Sequence, residues 1–167
     1  MASSPRPPVE RVRPPKAPYR VVNRLVRTLL STPSRARRIG RHLLLLHVTG
    51  RRSGRQLVFP VAYRDNGDGR LLVLTNSPWR VNLRDRPDVA VTLLGRQRPA
   101  RAHLVEDPDR VATVYRALIE AVGHQRAGRR MGIRINVPRT PTHEELAEAA
   151  RRDRLALVYL DVEGGTR

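Results

Sequence analysis

Apolar positions recur along this chain with two different periods, and the place where the period changes marks a change of architecture. Between Tyr19 and Leu30, Val22, Leu25, Val26, Leu29 and Leu30 fall at helical spacing, while Arg20, Arg24 and Arg27 take another face. That arrangement predicts a basic amphipathic helix, compatible with packing across a barrel or with lying on an anionic membrane surface. From His42 onward the rhythm is that of strands. Candidates are His42 to Val48, Gln56 to Arg64, Arg70 to Thr75, Val89 to Leu94, Arg98 to Val105 and, closing the sheet, Leu155 to Val162. Asp65-Asn66-Gly67-Asp68-Gly69 is a turn signal, because Asn and Gly tolerate the dihedral angles that hairpins demand.

Helical periods return only in short pieces. Pro78 to Arg86 predicts a short helix between two strands. Asp107 to Val122 carries Val111, Val114, Leu118, Ile119 and Val122 on one side, with Gly123 as its stop. His143 to Arg152 predicts a further helix, capped by Thr142 and with Glu144 and Glu145 near the positive end of its dipole. Two stretches have no period. Residues 1–18 place five prolines in the first fifteen positions and are expected to form a flexible Pro/Arg-rich arm; Gly128 to Pro141 is expected to be a lid or mobile loop. The sum is a mainly β fold with peripheral helices, a small barrel or open roll, in a single domain over residues 19–167.

Charge adds partners to this picture. The 167 residues carry a formal net charge of +18, and more than half of it lies in residues 1–41, where eleven basic side chains face one acid, Glu10. Such a balance invites acidic ligands, anionic membrane surfaces or nucleic acid. With one Phe, one Trp and four Tyr, and no RNP-like run, stacking on single strands has little support, so no specific nucleic acid is expected. The absence of cysteine excludes a disulfide scaffold, a thiolate zinc site and a cysteine nucleophile. The five histidines are dispersed and form no HExxH helix, so no metal site is expected. No apolar stretch is long enough to span a bilayer, and the N-terminal residues lack a secretory hydrophobic region. The expected location is cytoplasmic, with peripheral contact at the inner membrane surface open to the basic helix.

The densest chemistry sits in Thr49-Gly50-Arg51-Arg52-Ser53-Gly54-Arg55-Gln56-Leu57-Val58, between two strand-like runs. The glycines let the backbone curl or approach a ligand, the arginines supply charge-assisted hydrogen bonds, and Thr49 and Ser53 add small donors. A turn of this composition can hold a phosphate or stand as an exposed basic loop. It does not match the Walker pattern, which rules against an ordinary nucleotide triphosphatase.

In order along the chain, the basic amphipathic helix, the Thr49-Gly50-Arg51-Arg52-Ser53-Gly54 turn, the following strand with Pro60, the run Trp79-Arg80-Val81-Asn82-Leu83 and the run Arg86-Pro87-Asp88-Val89 form a signature. Over roughly residues 24–105 the chain resembles the deazaflavin-dependent nitroreductase family of the flavin-binding split-barrel superfamily. The resemblance implies an FMN-binding-like split β-barrel that binds coenzyme F420, with FMN or haem as alternatives. It implies that Thr49, Arg51, Arg52, Ser53 and Gly54 form the phosphate turn, and that Pro60, Val61 and Ala62 pass beside the ring system. Thr75, Asn76 and Trp79 would border the cofactor, and Asn82 would help define the short helix. Substrate-side candidates are Tyr63, Ser77, Tyr115 and Tyr159. The implied activity is hydride transfer from reduced F420 to an activated alkene, quinone or nitro-type small-molecule acceptor, in a homodimer; a non-catalytic deazaflavin, flavin or haem carrier is the other reading.

Overall fold

The computed structural model describes residues 6–12 and 42–165, so the helix expected over Tyr19 to Leu30 and the arginine-rich segment from Arg35 to Arg41 lie outside the described residues. The strands are β1 (Val9–Arg11), β2 (Leu43–Thr49), β3 (Gln56–Ala62), β4 (Arg64–Asp65), β5 (Leu71–Thr75), β6 (Asp88–Leu93), β7 (Arg96–Val105), β8 (Ile133–Ile135) and β9 (Ala156–Val162). The α-helices are α1 (Pro108–Val122), α2 (His124–Met131) and α3 (His143–Asp153), and a 3-10 helix spans Pro78–Leu83. Together they pack as two compact units.

The first unit is built on a seven-stranded sheet in the order β3-β2-β6-β7-β9-β5-β4. The β2–β3, β2–β6, β6–β7 and β4–β5 pairs are antiparallel. β3 and β4 stand at opposite ends of that order, yet only Tyr63 separates them in sequence. The sheet must therefore curl until its two edges meet, which is what makes this mainly β fold a split barrel. Alternate residues fill the interior: Leu44, Leu46 and Val48 from β2 meet Leu71 and Val73 from β5 and Val158, Leu160 and Val162 from β9. Each such side chain contributes about 1.5–3 kcal/mol relative to exposure.

Two hairpins show how the sequence sets the register. β6 and β7 are joined by Leu94 and Gly95, both at positive φ (50° and 81°), the left-handed pair that a two-residue hairpin requires. Leu94 is strained there by about 1–2 kcal/mol, and its packing against the barrel core offsets that cost. Between β4 and β5, the Gly67 N–H donates to Asp65 Oδ1 at 2.8 Å and the Arg70 N–H to Asp68 Oδ1 at 3.1 Å, the side-chain turn locks that the Asp-Asn-Gly-Asp-Gly signal predicted.

In the second unit α1 packs against α3, beside a two-stranded ribbon of β1 and β8. Asp107 caps α1 by accepting the Arg110 N–H at 2.9 Å, and Gly123 ends it at φ 82°. Within the segment expected to be a free arm, Val9–Arg11 is extended, as its prolines favour, and it is paired. Glu10 lies opposite Arg134 in the ribbon. On the other side of β1, Asp153 accepts the Arg11 N–H at 3.1 Å and Arg152 donates to the Val9 carbonyl.

The stretch from Gly128 to Pro141, expected to be a lid or mobile loop, holds the end of α2 and all of β8. Its elements escape a periodicity search for a physical reason. α2 buries Ala127 and Met131 on an otherwise polar surface, and three residues of β8 are too few to show alternation. Gly128 is where α2 approaches β8: a Cβ there would stand 2.8 Å from the Ile133 carbonyl oxygen.

Candidate functional site: a basic turn and its cleft

β2 and β3 are in register from Leu43 with Ala62 to Thr49 with Gln56, so residues 50–55 form a six-residue hairpin loop. Its base is closed by the Gly50 N–H donating to the Arg55 carbonyl at 2.8 Å. An inner turn is closed by the Gly54 N–H donating to the Gly50 carbonyl, also at 2.8 Å. The two glycines serve different ends, backbone conformation at Gly54 and room at Gly50. Gly54 sits at φ 66°, and a Cβ on Gly50 would meet Ser53 Oγ at 2.6 Å and the Arg55 carbonyl oxygen at 3.3 Å. Ser53 Oγ accepts the Arg55 N–H at 3.3 Å.

With those bonds made, the Arg52 and Ser53 N–H groups have no hydrogen-bond partner among the described residues. Consecutive free N–H groups in a tight turn form a concavity suited to an anion. The Arg51 N–H is engaged differently: it donates to Asn82 Oδ1 at 2.9 Å, and Asn82 Nδ2 donates to the Trp79 carbonyl at 2.9 Å. One carboxamide thus ties the turn to the 3-10 helix. Between them lies a cleft of about 850 Å³ lined by Gly50, Arg51, Arg52, Ser53, Leu57, Val81, Asn82 and Arg84. Among the described residues three arginines and no acidic residue line it. An anion entering it meets charge-assisted donors against an apolar wall of Leu57 and Val81.

Of the residues singled out in the sequence, Arg51, Arg52, Ser53 and Asn82 are brought together here, with Thr49 and Gly54 adjacent in the hairpin. Arg55 stays out of the lining and closes the loop base through its carbonyl. On β3, Val61 points into the barrel core opposite Leu44, while Pro60 and Ala62 pair with Leu45 and Leu43 and face the other way. β3 is an edge strand, where a proline that lacks an N–H is tolerated. Trp79 stacks on Phe59, ring centroids 5.8 Å apart and planes 20° from parallel, and both rings pack against the barrel core. Thr75 is the buried last residue of β5 and Asn76 is half-buried after it; neither lines the cleft.

The substrate-side candidates do not converge on the cleft, since none of the four lines it. Tyr115 is 1% exposed in the helical unit. Tyr159 lies under the Arg70 guanidinium, 4.8 Å from its ring centroid. Tyr63 is half-buried at the meeting of the sheet edges, and burial, followed by the nearby Asp65 carboxylate, raises its phenol above the ordinary value. Ser77 caps the 3-10 helix, its carbonyl accepting from Arg80 Nη1 at 3.0 Å. His47 hydrogen-bonds Thr92 Oγ1 at 2.8 Å across β2 and β6, a role within the sheet.

Sequence reading missed Leu57, Val81 and Arg84 as cleft residues. Leu57 and Val81 look like any core aliphatic. Arg84 carried a usable signal, because it stands between Trp79-Arg80-Val81-Asn82-Leu83 and Arg86-Pro87-Asp88-Val89. Among the described residues no cluster of His, Asp or Glu is placed to hold a metal ion, and no helix is long and apolar enough to cross a membrane.

Comparison with known proteins gives one family. A family model described as F420H(2)-dependent quinone reductase matches residues 19–138. No curated protein matches the chain. Solved structures that match include a pyridoxamine 5'-phosphate oxidase-related, FMN binding protein from Nostoc punctiforme PCC 73102, at 14% identity, 87% of this chain, 81% of that chain and a TM-score of 0.43. An F420 reductase matches at 16% identity over 83% of this chain and 93% of that one, TM-score 0.41. A chain described as a domain-swapped dimer matches at 20% identity over 88% and 100%, TM-score 0.44. Likeness at these scores says nothing of ligand or activity.

Proposed function

The chain belongs to the F420H(2)-dependent quinone reductase family, and from that premise we propose that it is an F420-dependent oxidoreductase whose cofactor phosphate sits in the hairpin cleft. The observation that carries the proposal is the pair of N–H groups at Arg52 and Ser53, without a hydrogen-bond partner among the described residues, set in a cleft that those residues line with Arg51, Arg52 and Arg84 and no acid. The deazaflavin phosphate is an anion, and this donor set fits it. When bound in reduced form, the cofactor supplies hydride to an activated alkene, quinone or nitro-type acceptor. The protein's part is to hold: the N–H pair and the guanidinium forks fix the phosphate, and Leu57 and Val81 exclude water from one side of it. The edge of β3 at Pro60 and Ala62, with Trp79, is the proposed border of the ring system. The proposed setting is a cytoplasmic homodimer.

A specific observation favours one competitor. Tyr115 is 1% exposed and the Arg70 guanidinium covers the Tyr159 ring, so two of the four substrate-side candidates offer an acceptor little accessible face, which is the arrangement expected of a carrier that holds deazaflavin, FMN or haem without turning over an acceptor. Titration with oxidised and reduced F420, FMN and haem, followed by stopped-flow oxidation of the bound reduced cofactor by menadione and a nitroaromatic, separates the two. Acceptor-dependent oxidation faster than in free solution supports the enzyme; unchanged oxidation supports the carrier. Arg51→Ala with Arg52→Ala removes two charged hydrogen-bonding groups worth about 1.5–3 kcal/mol each, so F420 affinity is expected to fall at least a hundred-fold. Unchanged affinity would remove the phosphate assignment.

A further inference from the structure

The hairpin that holds Arg51 and Arg52 is exposed, and the β2–β3 ladder sets its direction as far as the Gly50–Arg55 bond. Beyond that bond, one side chain among the described residues holds the tip to the 3-10 helix. Asn82 bonds the Arg51 N–H through Oδ1 and the Trp79 carbonyl through Nδ2, both at 2.9 Å. Trp79 is in turn stacked on Phe59 of β3. The turn is therefore linked through a single carboxamide to a ring pair packed on the barrel core.

Resting on the reading of the cleft as a phosphate site, we propose that Asn82 is a positioning residue. It reserves the Arg51 N–H and so aims the Arg52 and Ser53 N–H groups at the ligand. The chemistry is specific to a carboxamide, because the same group must accept at one atom and donate at the other. Aspartate in its charged form accepts from Arg51 but cannot donate to Trp79, and it places a negative charge in the cleft. Protonated aspartate restores both bonds. Alanine restores neither and leaves the arginines untouched.

The test compares wild type with Asn82→Ala and Asn82→Asp, using coenzyme F420 as the probe, because its phosphodiester keeps one charge across the pH range used. Asn82→Ala is expected to weaken F420 binding about ten-fold while its dependence on ionic strength stays that of wild type, because no charge has been removed. It is also expected to speed hydrogen exchange at the Arg51 amide in the ligand-free protein. Asn82→Asp is expected to bind F420 more weakly than wild type at pH 7 and to close that gap as pH falls through the aspartate pKa, the wild type at each pH accounting for titration of the cofactor's own carboxylates. Circular dichroism and thermal unfolding establish that each variant is folded. Wild-type affinity in folded Asn82→Ala, or an Arg51 amide that exchanges as in wild type, would overturn the positioning role while leaving the phosphate site standing. Failure of the wild type to bind F420 would overturn the site, and this role with it.

Discussion

At the scale of single residues, space decides more than chemistry. Gly128 has no left-handed angle to excuse it, and its absence of a side chain is a matter of distance, since a Cβ would sit 2.8 Å from the Ile133 carbonyl oxygen. The obstacle is backbone, which cannot rotate aside. Gly128→Ala is expected to cost about 1–3 kcal/mol, the usual penalty for overpacking, read as a lowered Tm; an unchanged Tm would mean that α2 does not press on β8 as described. Gly50 is the contrasting case. Its nearest obstacle is the Ser53 hydroxyl, a group that can swing away, and moving it would disturb the bond that Ser53 makes to the Arg55 N–H. Alanine at position 50 would therefore be felt first in the shape of the basic turn.

At the scale of elements, α3 shows how a sequence signal becomes a pH dependence. Thr142 Oγ1 accepts the Glu145 N–H at 3.2 Å, and the Glu145 carboxylate accepts the Thr142 N–H at 2.8 Å, a complete capping box. Hydrogen bonds from Arg139 first, and from the Thr142 N–H, hold the Glu145 carboxyl below the ordinary glutamate value. A carboxylate with a lowered folded pKa stabilises the fold above its unfolded pKa and loses that contribution as pH falls through the folded value. Glu145→Gln keeps the reciprocal cap without the charge. Wild type is expected to unfold at higher temperature than Glu145→Gln at pH 7, with the gap closing below the ordinary glutamate pKa of about 4.3. A gap that does not narrow as pH falls below that value would refute the ion pair as its source.

The same comparison shows what was legible. β2, β3, β5, β6 and β9 were readable as short apolar runs bounded by turn signals, β7 by its alternation, and α1 and α3 because caps and apolar stripes mark them; the two residues of β4 write no pattern. α2 and β8 were not, since neither buries enough to leave a pattern, and the pairing of Val9–Arg11 was hidden because its partners lie more than 120 residues away. The basic turn was legible because its chemistry is local, and Asn82 because it stands in the Trp79-Arg80-Val81-Asn82-Leu83 run. The rest of the cleft's far wall was not, because Val81 and Arg84 reach it through tertiary packing.

At the scale of the whole molecule, a net charge of +18 sets behaviour in mixtures. Attraction to polyanions follows from that excess and is screened over about 8 Å at physiological ionic strength. Retention of single-stranded DNA is expected to fall about a hundred-fold between 50 and 200 mM salt with no preference among sequences; a salt-resistant or sequence-selective complex would overturn the expectation that no specific nucleic acid is recognised. Tyr63 bears on the whole barrel in another way. It alone joins the strands at the two ends of the seven-strand order, so an added or deleted residue there would shift the facing of one edge relative to the other by half a pleat. Length variation introduced into this protein should accumulate at the Asn66 to Gly69 tip and be purged at position 63, which makes that tyrosine the barrel's point of lowest tolerance to insertion.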